Sequence, residues 1–258
     1  MATALTTIAN QLTANYIAIR CPKLVSLIIK TPNNFRLYVV QRLVTMPYLN
    51  VPMATNNDDL HGNAPDSAPV ALLIIDMIND LEFPGGENVL EPAEKAAEKI
   101  AHLKKQAKEL KIPVIYANDN FGKWRSDFNE LIDHCLNDGV RGQRLVELLK
   151  PDREDYVVLK PKHSIFFATT LDALLTYLHV EQLVIMGISA DVCVQFSAND
   201  AYMRDFGLYV PADCVASQSA ENTKQAVDYM ARVLRADTTP SDKLDLSRLL
   251  QESSSVQE

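Results

Sequence analysis

Six apolar residues in a row, Val70-Ala71-Leu72-Leu73-Ile74-Ile75, stop at a carboxylate, Asp76. A short run with no polar alternation suits a central parallel strand buried on both faces. Ile112–Ala117, Asp155–Leu159, Leu183–Met186 and Leu208–Val210 read as further strands, and Ala236–Thr238 as a short edge strand. Helical patterns separate them. Residues 91–110 put Ala93, Ala96, Ala97, Ile100, Leu103, Ala107 and Leu110 on one stripe, with Pro92 suited to a first turn. Residues 127–149 look helical with a break near Asp138-Gly139, Leu171–Leu178 follows a capping threonine, Cys193 opens another helix, and 219–235 make the last. This alternation predicts an α/β fold, a doubly wound and mainly parallel sheet of five or six strands with helices on both faces, Rossmann-like. The predicted domain covers 69–239, between an N-terminal extension and linker at 1–68 and a polar, frayed tail at 240–258.

Composition removes several classes of function. A net charge of −8 speaks against nucleic acid and against anionic membrane surfaces as partners. No apolar run reaches the roughly 18 residues of a membrane span. The four cysteines have no close pairing and no CxxC, and the five histidines no HxxxH or HxH. The reading is a reducing compartment, the cytoplasm, with no disulfide framework and no metal. No GxGxxG or GxxxxGK[ST] follows a strand, so a dinucleotide or P-loop nucleotide cofactor has no support. Residues 1–57 hold Arg20, Lys23, Lys30, Arg36 and Arg42 but no acid. Three readings stay open: organellar targeting, a small appended helical segment, or an over-extended start with Met53 opening the working chain. The last is favoured.

The chemistry concentrates where strands end. Strands close at Asp76, at Lys160 and at the turn Gly187–Val192 before Cys193. In a parallel sheet these share the carboxyl edge, where ligands bind, and strands one and four meet at the switch point. A lone cysteine is more often a small buried hydrophobe, and a lone aspartate a cap; the three together are harder to explain as packing. Cys193 at a helix N-terminus, with a lysine near, is expected to have a lowered pKa and to act as nucleophile. Asp76 would exchange its proton, Lys160 would hold Asp76 ionised, and the backbone N–H groups of residues 188–193 would hold an oxyanion. Lys162 is a rival to Lys160. Pocket walls are expected from the loops at 118–128 and 162–167, with Phe121, Trp124 and His163 as candidates, although the aromatics could equally roof the core.

These residues sit in LLIIDMINDL (72–81), VVLKPKHSIFFATTL (157–171) and VIMGISADVCVQFSANDAYM (184–203). In this order and spacing, the chain from about Val70 to Thr238 resembles the isochorismatase-like cysteine hydrolases, a superfamily that includes nicotinamidase and N-carbamoylsarcosine amidohydrolase. The resemblance implies an isochorismatase-type fold, an Asp76-Lys160-Cys193 triad and a cis peptide at Ile188–Ser189. It also implies oxyanion donors at the N–H groups of Ser189 and Cys193, and a homo-oligomer. There are departures. Ile78 stands where the family commonly has Gln. ANDNFGKWRSDF (117–128) holds Asp119 but none of the histidines of the nicotinamidase metal site, which counts against zinc and against nicotinamide. A retained cysteine favours a C–N bond over the vinyl ether that isochorismatases cleave. The expected function is metal-independent hydrolysis of an amide or carbamoyl-type bond in a small-molecule substrate through a Cys193 thioester, without a cofactor. The alternative is a binding or thiol-redox protein on the same fold.

Overall fold

The computed structural model of the chain describes the backbone of residues 19–21, 24–31 and 34–39, and then residues 67–120 and 127–254. It divides into two units, Met1–Gly62 and Asn63–Glu258. In the first, β1 (Ile19–Cys21), β2 (Leu24–Thr31) and β3 (Asn34–Val39) form an antiparallel sheet, with Thr31 opposite Asn34 and Ser26 opposite Val39. The sequence reading had no strand here. Charge drew attention away from Leu24-Val25-Ser26-Leu27-Ile28-Ile29, whose aliphatic and β-branched residues favour a pleated surface.

The second unit holds a six-stranded parallel sheet with strands β4 (Val70–Ile75), β5 (Val114–Asp119), β6 (Tyr156–Lys160), β7 (Gln182–Ile188), β8 (Gly207–Tyr209) and β9 (Val215–Ala216). The order is β6-β5-β4-β7-β8, and β9 pairs with the carboxyl end of β7. The chain winds one way from β4 to β6, returns, and winds the other way from β7. The switch point therefore lies between β4 and β7, which pair from Val70↔Gln182 to Ile75↔Gly187.

Strand side chains alternate between two cores, as a period of two requires. Val70, Leu72 and Ile74 face one core with α1 (Gly86–Glu109), α2 (Phe128–Asn137), α3 (Gln143–Leu149) and α7 (Leu246–Ser254). Ala71, Leu73 and Ile75 face the other, with α4 (Leu171–Leu178), α5 (Gln195–Tyr202) and α6 (Ala220–Val233). Burial on both sides is why β4 reads as an unbroken apolar run.

Two boundaries differ from expectation. Helix α1 starts at Gly86, so Pro92 lies inside it. A side chain at 86 would place its Cβ 2.0 Å from the Leu81 carbonyl oxygen, so glycine lets the helix begin hard against that turn. The segment read as a polar tail carries α7, whose Leu246 and Leu249 are buried in the first core; two leucines three apart are enough to dock one helical face.

Candidate active site

Asp76 ends β4 with φ 53, a left-handed conformation that aspartate tolerates better than most residues. Its N–H donates to the Ala117 carbonyl of β5 at 2.9 Å. One carboxylate oxygen accepts from the Asp119 N–H at 2.7 Å, and the other lies 2.8 Å from the Lys160 ammonium. Lys160 ends β6 and is wholly buried; Lys162 is exposed. In the β5–β6 register Asp119 stands opposite Lys160, and its carboxylate lies 3.4 Å from the ammonium.

Gly187, at φ 126, lets β7 pass close to β4: a Cβ there would fall 2.1 Å from the Ile75 oxygen. The Ile188–Ser189 peptide is cis. Ala190–Val194 then form one wide turn, with the Val194 N–H reaching back five residues to the Ser189 carbonyl at 3.1 Å, before α5 begins. Cys193 therefore lies within that turn, ahead of the regular helix. The Lys160 ammonium donates to its Sγ at 3.4 Å and lies 2.8 Å from the Asp76 carboxylate, so one ammonium joins the thiol to the carboxyl group. His163 approaches from the solvent side, with Nδ1 at 3.9 Å from Sγ and its ring against Phe196, centroids 5.6 Å apart.

The structure thus brings together Asp76, Lys160, Cys193, His163, Ile188 and Ser189. Phe121 and Trp124 lie outside the described residues. A cavity of about 500 Å³ opens over Cys193. Phe83, Val89, Ile188 and Val192 supply its apolar wall, and Asp76, Asp119, His163, Asp191, Gln218 and Asn222 its polar one. Several of these escaped sequence reasoning. Asp119 was noted only as one acid in a loop, although its place at a strand end was a usable signal. Ser217, Gln218 and Asn222 arrive because β9 pairs with β7, about thirty residues downstream. No local pattern announces that.

A second anionic centre holds the nucleophile's turn. Asp191 accepts from the Ser189 hydroxyl at 2.5 Å, the Ser217 hydroxyl at 2.7 Å and the Asn222 amide at 3.1 Å. Ser219 caps α6 by accepting the Asn222 N–H at 3.0 Å, so Asp191 joins that helix start to the turn. Burial pushes the Asp191 carboxyl upward, but the hydroxyl, backbone and amide donors prevail and hold it below the usual carboxylate range.

The electrostatics correct two expectations. Burial, with the Asp76 charge, pushes the Cys193 thiol up to about 12, and Lys160 only partly offsets this. Burial also outweighs Lys160 at Asp76 and leaves its carboxyl above the ordinary range. Burial pulls Lys160 down, but the Asp76, Cys193 and Asp119 charges exceed that and raise it. Helix-end and lysine effects were the only terms the sequence offered; desolvation was invisible in it. The resting site is a thiol beside an unusually basic carboxylate and a firmly charged lysine. Among the described residues no group of three or more His, Cys, Asp or Glu is placed to hold a metal, and no helix is long and apolar enough to cross a membrane.

A doubly wound sheet with titratable groups gathered at its switch point places the chain among α/β proteins whose chemistry-bearing side chains meet at the carboxyl edge. Residues 70–240 match the isochorismatase domain model, and the chain belongs to the isochorismatase family. It is 41% identical over 177 residues to an uncharacterized isochorismatase family protein of Bacillus subtilis (strain 168), covering 69% of this chain and 97% of that one. It is 30% identical to enterobactin synthase component B of Escherichia coli (strain K12), over 62% of this chain but only 57% of that protein. Among solved structures, N-carbamoylsarcosine amidase from Thermoplasma acidophilum superposes with a TM-score of 0.54 at 27% identity, covering 68% of this chain and 98% of that one. The fold is that of the isochorismatase-family hydrolases.

Proposed function

We propose that this protein is a cysteine hydrolase that cleaves a C–N bond, amide or carbamoyl-type, in a small molecule through a Cys193 thioester. The observation that carries this is the placement of Sγ: 3.4 Å from the Lys160 ammonium, which itself lies 2.8 Å from the Asp76 carboxylate, and on the floor of a cavity that Asp76 also lines. A thiol pushed to about 12 is not a standing thiolate. It needs a base at the moment of attack, and a carboxylate with a raised value is a better base than an ordinary one. As Sγ bonds to the substrate carbonyl carbon, Asp76 takes the thiol proton. Lys160 stays charged and stabilises the anion that moves between sulfur and carboxylate. The backbone N–H groups of Ser189 and Cys193 would receive the oxyanion, each such donor contributing about 3–4 kcal/mol in comparable sites. On collapse, Asp76 returns the proton to the leaving nitrogen, and water then hydrolyses the thioester.

The likeness to N-carbamoylsarcosine amidase supports a carbamoyl or amide substrate. The same thiol weighs against the redox alternative, since oxidation follows thiolate character and exposure. The reading is of a reaction without a metal, supported by the absence of histidine from residues 117–128. A cytoplasmic homo-oligomer is part of the same reading. Intact-mass spectrometry after incubation with a panel of small amides and ureido compounds tests it. An acyl mass on Cys193, absent in Cys193→Ala together with ammonia or amine release, is the expected result; undiminished release by Cys193→Ala would sink the mechanism.

A further inference from the structure

We propose that His163 is the base of the second half-reaction, the one that draws a proton from the water attacking the acylated Cys193. This rests on the thioester reading above. The buried side of Sγ is occupied by Lys160 and Asp76. An acyl group on sulfur therefore projects into the cavity, and the water must reach its carbon from there. His163 stands on that open side with Nδ1 3.9 Å from Sγ, too far for a strong direct bond to the thiol but within the reach of one interposed water.

The ring is held in place from two directions. Phe196 of α5 packs on it. Two residues along its loop, the Ile165 N–H donates at 3.1 Å to the Ser197 hydroxyl, which itself donates to the Cys193 carbonyl at 2.6 Å. The loop that carries the imidazole is thus tied to the backbone of the residue whose ester it would hydrolyse. Other charged groups near it are Asp76, Asp119 and Asp191 around the cavity, Lys160 beneath, and Lys162 on its own loop.

The step balances without a further reactant. Nδ1 takes one proton from water as its oxygen bonds to the acyl carbon. The C–S bond then breaks, and the thiolate takes that proton from the imidazolium. The products are a carboxylic or carbamic acid, a neutral imidazole and a free thiol. Asp76 and His163 would divide the work by position, Asp76 serving the thiol from below and His163 the water from above.

p-Nitrophenyl acetate separates the halves, because its leaving group needs no proton. In stopped flow the wild-type protein is expected to show a burst of p-nitrophenolate and then a steady slope. In His163→Gln the burst rate and amplitude should persist while the slope falls at least about tenfold, the lower range for loss of a general base. Acetyl-Cys193 should accumulate by mass. Added imidazole should restore the slope in His163→Ala. An unchanged slope would assign both halves to Asp76 and overturn the proposal, as would burst and slope falling together, which marks a role in positioning. No burst and no acetyl adduct in the wild-type protein would instead defeat the thioester reading itself, and this one with it.

Discussion

Two lysines are buried among the described residues, and they lead opposite lives. Lys104, on α1, donates to the Lys150 carbonyl at 3.0 Å and pairs with Asp155 at 2.9 Å and Asp152 at 3.1 Å, over the Tyr116 ring. Lys160 pairs with Asp76 at 2.8 Å and reaches Asp119 and the Cys193 sulfur at 3.4 Å each. Every close partner of Lys104 is an oxygen, and the cluster clamps α1 to the loop leading into β6. One partner of Lys160 is a thiol, a weak acceptor, and its cluster floors a cavity. An ammonium saturated with oxygens can only hold; one given a sulfur that has yet to become an anion can stabilise charge as it forms.

That contrast predicts different failures. Lys160→Met should cost turnover about 10^4-fold, the scale on which catalytic triad members act, measured as kcat/KM on an amide found active. Next, Asp76→Asn should lower kcat/KM about a thousandfold while making Cys193 alkylate faster, because the charge that raises the thiol is gone and Lys160 is unopposed. The midpoint of iodoacetamide labelling against pH should fall below about 12; an unmoved or higher midpoint would break the account of the thiol. Lys104→Met should do the reverse of Lys160→Met, costing about 2 kcal/mol of stability in urea unfolding, because the buried Asp155 carboxylate loses one of its two ammonium partners and keeps only Lys108 at 2.5 Å, with kcat kept. Loss of turnover in that variant at a temperature where it remains folded would erase the distinction between the clusters.

The smallest effect belongs to Asp191→Asn. Four donors hold this carboxyl below its unfolded value, so its contribution is present above the ordinary carboxylate range and is lost as pH falls through the lowered folded value. The variant should be about 1 kcal/mol less stable at neutral pH, a modest figure because the cavity admits solvent, and the gap to wild type should close in acid. A gap independent of pH would mean that packing, not charge, holds the turn.

Much of this was readable in the chain. The unbroken run Val70–Ile75 announced a strand covered on both sides, and the fold class followed from its repetition. Asp76, Lys160 and Cys193 could be brought to one edge because parallel strands share a direction. Other features were less accessible. Asp119 was visible as a residue but not as a partner of Lys160, since pairing register is decided by the neighbouring strand. The three strands at Ile19–Val39 fall where the acid-free composition leaves targeting, an appended helical segment or an over-extended start open, and none of these readings predicts a sheet.

What the sequence alone determined is the order of strands and helices, the apolar periodicity that covers the sheet on both faces, and the three side chains placed at strand ends. Those are local properties, set by residue type and spacing. What only the tertiary structure decided is the state of those side chains: a thiol raised instead of lowered, a carboxylate made basic, and His163 set on the open side of the sulfur. Each depends on how much water is removed and which distant groups replace it, and neither quantity exists until the chain is folded.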